Sequence, residues 1–206
     1  MEVGCLLAAT VGLCAHGPQQ RVNVRRLFAV AALALLAGCA GDTHHRILIS
    51  AADQRMVVFR DEEKIAEYPV STSKYGLGSR PNSNATPLGL FRIKKKIGAG
   101  APAGAVFKSR RLTGEVIAVD APGRDPIVTR ILWLDGLEAG NKNSFGRLIY
   151  IHGTPEERNI GLPASYGCIR MRSIDVISLY DTVGTGAKVL IIPGSIPPKF
   201  RSSINL

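Results

Sequence analysis

Cysteine is scarce in this 206-residue chain: there are four, at positions 5, 14, 39 and 168. Histidine is equally rare, with four residues. Neither supply is dense enough in the body of the chain to build a metal site around His152 and Cys168, and His44 and His45 fall in a linker, so no metal or other cofactor is expected. No G-x-G-x-x-G or Walker pattern is present, which removes the support for nucleotide binding. Acidic residues number 16 against 26 lysines and arginines, a net charge of +10. No nucleic-acid motif and no interleaving of aromatic and basic residues accompanies that charge, so nucleic acid is not an expected partner. An anionic polymer outside the cytoplasm, or a plainly solvated basic surface, accounts for it as well. Internal repeats are absent. The apolar fraction of 46% and charged fraction of 20% suit a globular domain and argue against wholesale disorder.

The N-terminal stretch has the pattern of an export signal. Arg25 and Arg26 precede an apolar run from Leu27 to Ala37, too short to read as a membrane-spanning helix, followed by Gly38-Cys39-Ala40-Gly41. Leu36-Ala37-Gly38-Cys39 resembles a bacterial lipobox. The resemblance implies cleavage before Cys39, acylation of that residue and anchoring to a membrane. Residues 1–23 hold a second apolar run and read as a mis-assigned start or a dispensable extension. The organisation expected is a leader over 1–38, with 24–38 as the signal peptide, a lipidated cysteine and linker over 39–46, a domain over 47–193 and a tail over 194–206. Removing residues 1–38 takes away Arg21, Arg25, Arg26 and Glu2 and leaves 23 basic against 15 acidic residues, a net charge of +8. It also leaves Cys168 as the one free thiol of an exported domain. Exported cysteines usually pair; a lone one with a histidine nearby is a candidate nucleophile.

Strand signals are frequent. Ile47–Ser50, Gln54–Arg60, Lys64–Val70 (after a turn at 61–63), Leu88–Ile97, Glu115–Val119, Thr129–Leu134, Arg147–Ile151 and Lys188–Ile192 read as strands. Residues 71–87 read as a long surface loop, and 98–104, flanked by Lys94–Lys96, Lys108, Arg110 and Arg111, as either a basic flap or a solvated hairpin tip. Ser173 is expected to cap a short helix over Ile174–Tyr180 with Ile174, Ile177 and Tyr180 on one face. Many short strands and one or two short helices make a mainly β, sandwich- or barrel-like domain.

The chemistry-bearing stretch is Arg147–Arg172. A strand delivers His152, a polar loop follows, and Cys168 lies sixteen positions on, after Ser165-Tyr166-Gly167. A histidine beside a thiol can take its proton and return it to a leaving amine. Gly167 leaves the backbone open, so amides near Cys168 can form an oxyanion hole. Arg170 can favour the thiolate, bind a substrate carboxylate, or pair with Asp175 or Asp181. Ser165 can orient the site or shape the turn.

Ile151-His152-Gly153 with Ala164 to Met171 resembles the signature of the L,D-transpeptidase catalytic domain (the YkuD family). Thr86-Pro87-Leu88-Gly89 and Ser173-Ile174-Asp175-Val176 resemble further segments of it, in the family's order across residues 47 to 192. The resemblance implies a β-sandwich-like L,D-transpeptidase fold acting on peptidoglycan stem peptides. Cys168 would be the nucleophile, His152 the base and acid, and Gly153 would orient the imidazole through its carbonyl. The acyl group would pass from the stem's third residue to an amine of another stem or of a wall-anchored protein, and carbapenems would acylate Cys168. Where many members have histidine before the glycine, this chain has Tyr166, so any orienting or oxyanion role passes to Tyr166 or to backbone. Two other readings stand beside transfer: a hydrolase using the same pair, which is a carboxypeptidase or an enzyme releasing wall-attached protein, and a non-catalytic wall-binding lipoprotein. No separate wall-binding module is present, so recognition falls to the domain and its anchor in the periplasm or cell envelope.

Overall fold

In the computed structural model, residues 41–200 are described. The leader, the lipobox and Cys39 lie outside these residues, as does the end of the tail.

Ten strands form one mixed sheet. In chain order they are β1 (His45–Ser50), β2 (Arg55–Arg60), β3 (Glu63–Pro69), β4 (Gly89–Ile97), β5 (Ala105–Lys108), β6 (Arg111–Val116), β7 (Ile127–Gly136), β8 (Tyr150–Gly153), β9 (Ile169–Met171) and β10 (Lys188–Ile192). Among the described residues a single α-helix, α1 (Ser173–Thr182), lies between β9 and β10. The spatial order is β3-β2-β1-β10-β4-β7-β5-β6, and β8 branches from β7 to carry β9. Pairing is antiparallel except for β1 with β10 and β8 with β9. The expected mainly β architecture is what the chain builds.

Strands β1 and β2 are apolar at successive positions because both of their faces are covered. Ile47, Ile49, Met56 and Val58 join a core with Phe91, Leu132, Ile151, Ile169 and Leu179, while Leu48, Val57 and Phe59 pack with Ile196 on the other face. Ile196 also donates its amide to Asp53 at 2.7 Å, so the packed domain continues beyond residue 193.

Two expectations need correction. The 71–87 segment is not a surface loop throughout. Ser71, Thr72, Ser73 and Thr86 are buried, and bridges join Ser71 to Arg170 and Ser73 to Ser165. In α1, Ser173 is the first helical residue, and its backbone N–H is capped by the Glu157 carboxylate at 2.7 Å rather than by its own hydroxyl. The buried face is Ser173, Val176, Leu179 and Tyr180, with Ile174 out in solvent. Of the basic residues flanking 98–104, Lys94, Lys96 and Arg110 are engaged, while Lys108 and Arg111 are exposed. Lys96 donates to the carbonyls of Tyr180 and Val183, both at 2.6 Å, at the negative end of α1. Lys94 pairs with Asp135, and Arg110 stacks over Trp133. Two short strands, β5 and β9, are additions to the expected set.

Candidate active site

The parallel pair β8–β9 sets the site. Its register places Ile151 opposite Ile169 and His152 opposite Arg170. Side chains alternate along a strand. Because Ile151, Ile169 and Met171 all enter the main core, Tyr150, His152, Cys168 and Arg170 share the other face. Two adjacent strands thus present the thiol and the imidazole to one side, a placement fixed by binary patterning.

His152 is 5% exposed. Its Nδ1 lies 2.8 Å from the Gly153 carbonyl oxygen. A carbonyl only accepts, so Nδ1 carries the proton in the neutral ring and Nε2 is left as the acceptor nitrogen. Burial depresses the imidazole pKa to about 4; Arg170 pushes the same way, while the Gly153 hydrogen bond and Asp125 oppose. The ring is therefore neutral at ordinary pH.

A bulge in β7 lies opposite His152 and Gly153. Between Val128, opposite Gly153, and Ile131, opposite His152, the strand carries two extra residues. One of them, Thr129, sits at φ +71°, a costly conformation for a β-branched residue. Its Oγ1 accepts from Gly104 N–H at 2.9 Å and contacts Ser173 Oγ at 2.8 Å. A Cβ on Gly153 would come within 2.7 Å of the Val128 carbonyl oxygen, so only glycine fits beside the bulge.

Cys168 is half-buried and is the free cysteine of the described residues. Its Sγ accepts from the Tyr150 amide and donates to the Leu148 carbonyl, both at 3.4 Å. Burial pushes the thiol up to about 11, against the Tyr150 hydrogen bond and the positive charges of Arg170 and Arg147. The thiol thus rests protonated and the imidazole neutral, both on one face of the β8–β9 pair.

The loop before Cys168 is tied down by hydroxyls. Ser165 Oγ donates to the Cys168 carbonyl at 2.6 Å and accepts from Gly167 N–H at 3.2 Å, so Ser165 shapes the turn. The Gly167 amide is thereby engaged within the turn. Gly167 has φ +114°, and a Cβ on it would meet the Ala85 and Asn84 carbonyls at 3.3 Å. Thr86 Oγ1 accepts from Ser73 N–H at 2.9 Å and donates to the Gly167 carbonyl at 3.2 Å. The Thr-Pro-x-Gly segment is thereby the buckle of the Cys168 loop, a role that the sequence motif alone does not reveal. Arg147 joins the same segments by donating to the Ala85 carbonyl at 2.8 Å and the Gly78 carbonyl at 3.3 Å.

Arg170 is 5% exposed. Its partners are Asp125, in direct ion-pair contact, and Glu156 at 3.7 Å, not Asp175 or Asp181. Asp125 lies in a Pro/Gly-rich connection with no sequence signal to mark it. Tyr166 is outside the pair: it is 56% exposed, accepts from Lys74 Nζ at 3.1 Å and leans on Tyr75 with ring centroids 5.5 Å apart. Among the described residues no cluster of His, Cys, Asp or Glu has the make-up of a metal site, and no helix is long and apolar enough to cross a membrane.

The family profile of the L,D-transpeptidase catalytic domain (YkuD) matches residues 44–191. This chain belongs to the L,D-transpeptidase family. The Bacillus subtilis protein named 'Putative L,D-transpeptidase YqjB' is 27% identical over 155 residues, covering 70% of this chain and 69% of its own length. The Escherichia coli protein named 'Probable L,D-transpeptidase YbiS' is 26% identical over 155 residues, covering 72% of this chain but 45% of its own length. Among solved structures, Bd1075 of Bdellovibrio bacteriovorus superposes with a TM-score of 0.50 at 17% identity, over 74% of this chain and 49% of that one. That likeness concerns the fold. The chain thus spans about half the length of several of the proteins it matches.

Proposed function

We propose that this L,D-transpeptidase-family chain cross-links peptidoglycan stem peptides by a cysteine thioester route. The Cys168 thiol gives its proton to His152 Nε2 as sulfur attacks the carbonyl of the third residue, a diamino acid, of a tetrapeptide stem. The imidazolium then protonates the departing amine, D-alanine leaves, and a thioester joins the stem to Cys168. An acceptor amine from a second stem, or from a wall-anchored protein, loses its proton to His152, attacks the thioester and returns the sulfur to its resting state. The observation that carries this reading is the shared face of β8 and β9, with Nδ1 fixed by Gly153 so that Nε2 is free to act.

Both partners start neutral, so proton transfer accompanies attack rather than preceding it. Charge developing on the carbonyl oxygen is met by loop amides next to Cys168, held in place by the Ser165 and Thr86 hydroxyls. Gly167 supplies the turn, Tyr166 lines the approach, and Arg170 adds the positive field felt by Cys168. We further propose export with removal of residues 1–38, lipidation at Cys39 and residence at a bacterial envelope membrane. The +8 charge of the mature chain then faces an anionic wall.

The test is incubation of the protein with a tetrapeptide muropeptide, followed by mass spectrometry. Cross-linked dimers or D-amino-acid exchange are expected. Tripeptide alone would indicate water as the acceptor, and turnover by Cys168→Ala would refute the mechanism. A carbapenem is expected to add covalently to the wild-type protein and not to Cys168→Ala. A mature mass retaining residues upstream of Cys39 would remove the lipid anchor.

A further inference from the structure

The segment expected as a free linker over 39–46 is folded onto the domain from Asp42 onward. The Asp42 amide donates to the Thr185 carbonyl at 2.7 Å. Its carboxylate accepts from the amides of Gly184, His44 and His45 at 2.6, 3.1 and 3.0 Å and lies 2.9 Å from His45 Nδ1. In the sequence only Ala40 and Gly41 separate this root from Cys39. Three peptide steps span at most about 11 Å, so a lipid on Cys39 would hold this edge of the domain at the membrane.

The edge presents positive charge. Arg46, Lys188 and Arg92 are register partners across β1, β10 and β4. Their neighbours Ile47, Val189, Phe91 and Ile93 enter the main core, so strand alternation sends the three basic side chains to the outer side. Arg46 and Lys188 line a groove of about 200 Å³ with Asp42, Thr43, Leu90 and Gly186. Neither has a carboxylate partner among the described residues. Arg92 and Lys94 share Asp135 at 2.7 and 3.2 Å, which leaves one positive charge in excess there. Of the acids at this edge, Asp42 is occupied by the contacts above and Glu138 by the Leu90 amide at 2.9 Å.

The catalytic pair lies across the core from this row. Ile151, Ile169 and Met171 enter the same core from β8 and β9. The chain after β3 returns to β9, where Ser71 and Arg170 exchange amide–carbonyl hydrogen bonds at 3.0 and 2.9 Å. Strands β4 and β7 separate β10 from β8 one way round the core, and β2 and β3 separate β1 from β9 the other way. The outer sides of β1–β10 and of β8–β9 therefore point away from each other. A domain resting on the basic row turns His152 and Cys168 outward.

We propose that the outer side of β1, β10 and β4, centred on Arg46 and Lys188, docks on the anionic headgroups of the membrane and holds the catalytic face toward the wall. This rests on the lipidation proposed for Cys39. Each basic side chain near an anionic leaflet is worth about fivefold in partitioning. That is weak alone, but it fixes orientation once a short tether supplies the local concentration.

The experiment takes mature protein purified from envelopes in detergent, with its lipid read from its mass. It is reconstituted into vesicles of phosphatidylcholine alone or with an equal part of phosphatidylglycerol. Lysines are acylated and the sites followed by mass spectrometry. Lys188 is expected to react at least fivefold more slowly in the phosphatidylglycerol vesicles. Lys74, which contacts Tyr166 on the catalytic side, should react equally in both. High salt and Arg46→Glu should each bring the Lys188 ratio below twofold, with turnover of soluble muropeptide unchanged in the variant. Equal Lys188 rates in the two vesicles, or protection of Lys74 instead, overturn the docking face. Protection of Lys188 only on adding isolated wall polymer assigns the face to the wall and also overturns it. A mature mass without lipid defeats the anchor by itself. Co-sedimentation of that protein with the same vesicles then decides the face: retention by phosphatidylglycerol supports it, and none overturns it.

Discussion

Strands β1 and β2 bury Ile47, Ile49, Met56 and Val58 on one side and Leu48, Val57 and Phe59 on the other. Around Cys168 the buried side chains are Ser71, Thr72, Ser73, Thr86, Ser165, His152 and Arg170. The first region is held by apolar burial, which is non-directional and tolerant of small shifts. The second is held by short, directed hydrogen bonds between loops far apart in sequence, Thr86 to Gly167 and Ser71 to Leu162 among them. The first supplies stability, the second supplies position, and mutations should separate them.

The largest effect is expected in the apolar region. Phe91→Ala, which empties a fully buried site in the main core, should cost about 3–5 kcal/mol in urea unfolding. Its kcat at a temperature where it stays folded should remain close to wild type. A collapse of kcat in the folded variant would show the two regions to be coupled.

Next comes acidification, which acts on the polar region through His152. Its pKa is lowered from 6.5 to about 4 in the folded chain, so the unfolded chain takes up the proton first. Stability from keeping the ring neutral is complete above about pH 6.5 and drains as pH falls towards 4, by roughly 3 kcal/mol. His152→Asn should flatten that part of the stability curve. The same protonation removes the base, so kcat/KM should show one acid limb near pH 4.

Thr86→Val deletes a hydroxyl that links Ser73 to Gly167 and should cost about 1–3 kcal/mol for the groups left unpaired. Activity should fall more than tenfold, because the Cys168 loop loses its buckle. Gly167→Ala forces a side chain into a left-handed conformation and should cost about 1–2 kcal/mol, again with a disproportionate loss of rate. The smallest effect belongs to the exposed Arg124–Glu115 pair. Glu115→Gln should change stability by about 0.5 kcal/mol or less and leave activity unaltered.

The same division explains what could be read in advance. Strands β1, β2, β4, β7 and β10 carry apolar runs, and these marked them in the sequence to within a few residues. Strand β8 was expected from Arg147, but Leu148 takes φ +60° and the strand starts at Tyr150, because residues 147–149 turn to meet the sulfur and the preceding loop. The 71–87 segment looked like surface because serines, glycines and asparagines usually are. Burial of such residues depends on partners, and Ser73, Thr86 and Ser165 find theirs across the fold. His152 and Cys168 stood out as an isolated pair of reactive types. Asp125, Lys74 and Arg147 did not, since nothing local distinguishes an aspartate, lysine or arginine at a site from one in solvent.

The proton held on Cys168 has a consequence of a different kind. Thiolate, not thiol, attacks peroxides and disulfides. Burial holds the sulfur's pKa up at about 11, so thiolate is scarce at neutral pH. A cysteine that rests as thiolate is readily lost to sulfenic acid or to mixed disulfides. This one is chemically quiet until a bound carbonyl gives its proton somewhere to go, so the geometry that delays its ionisation also gives it a long working life.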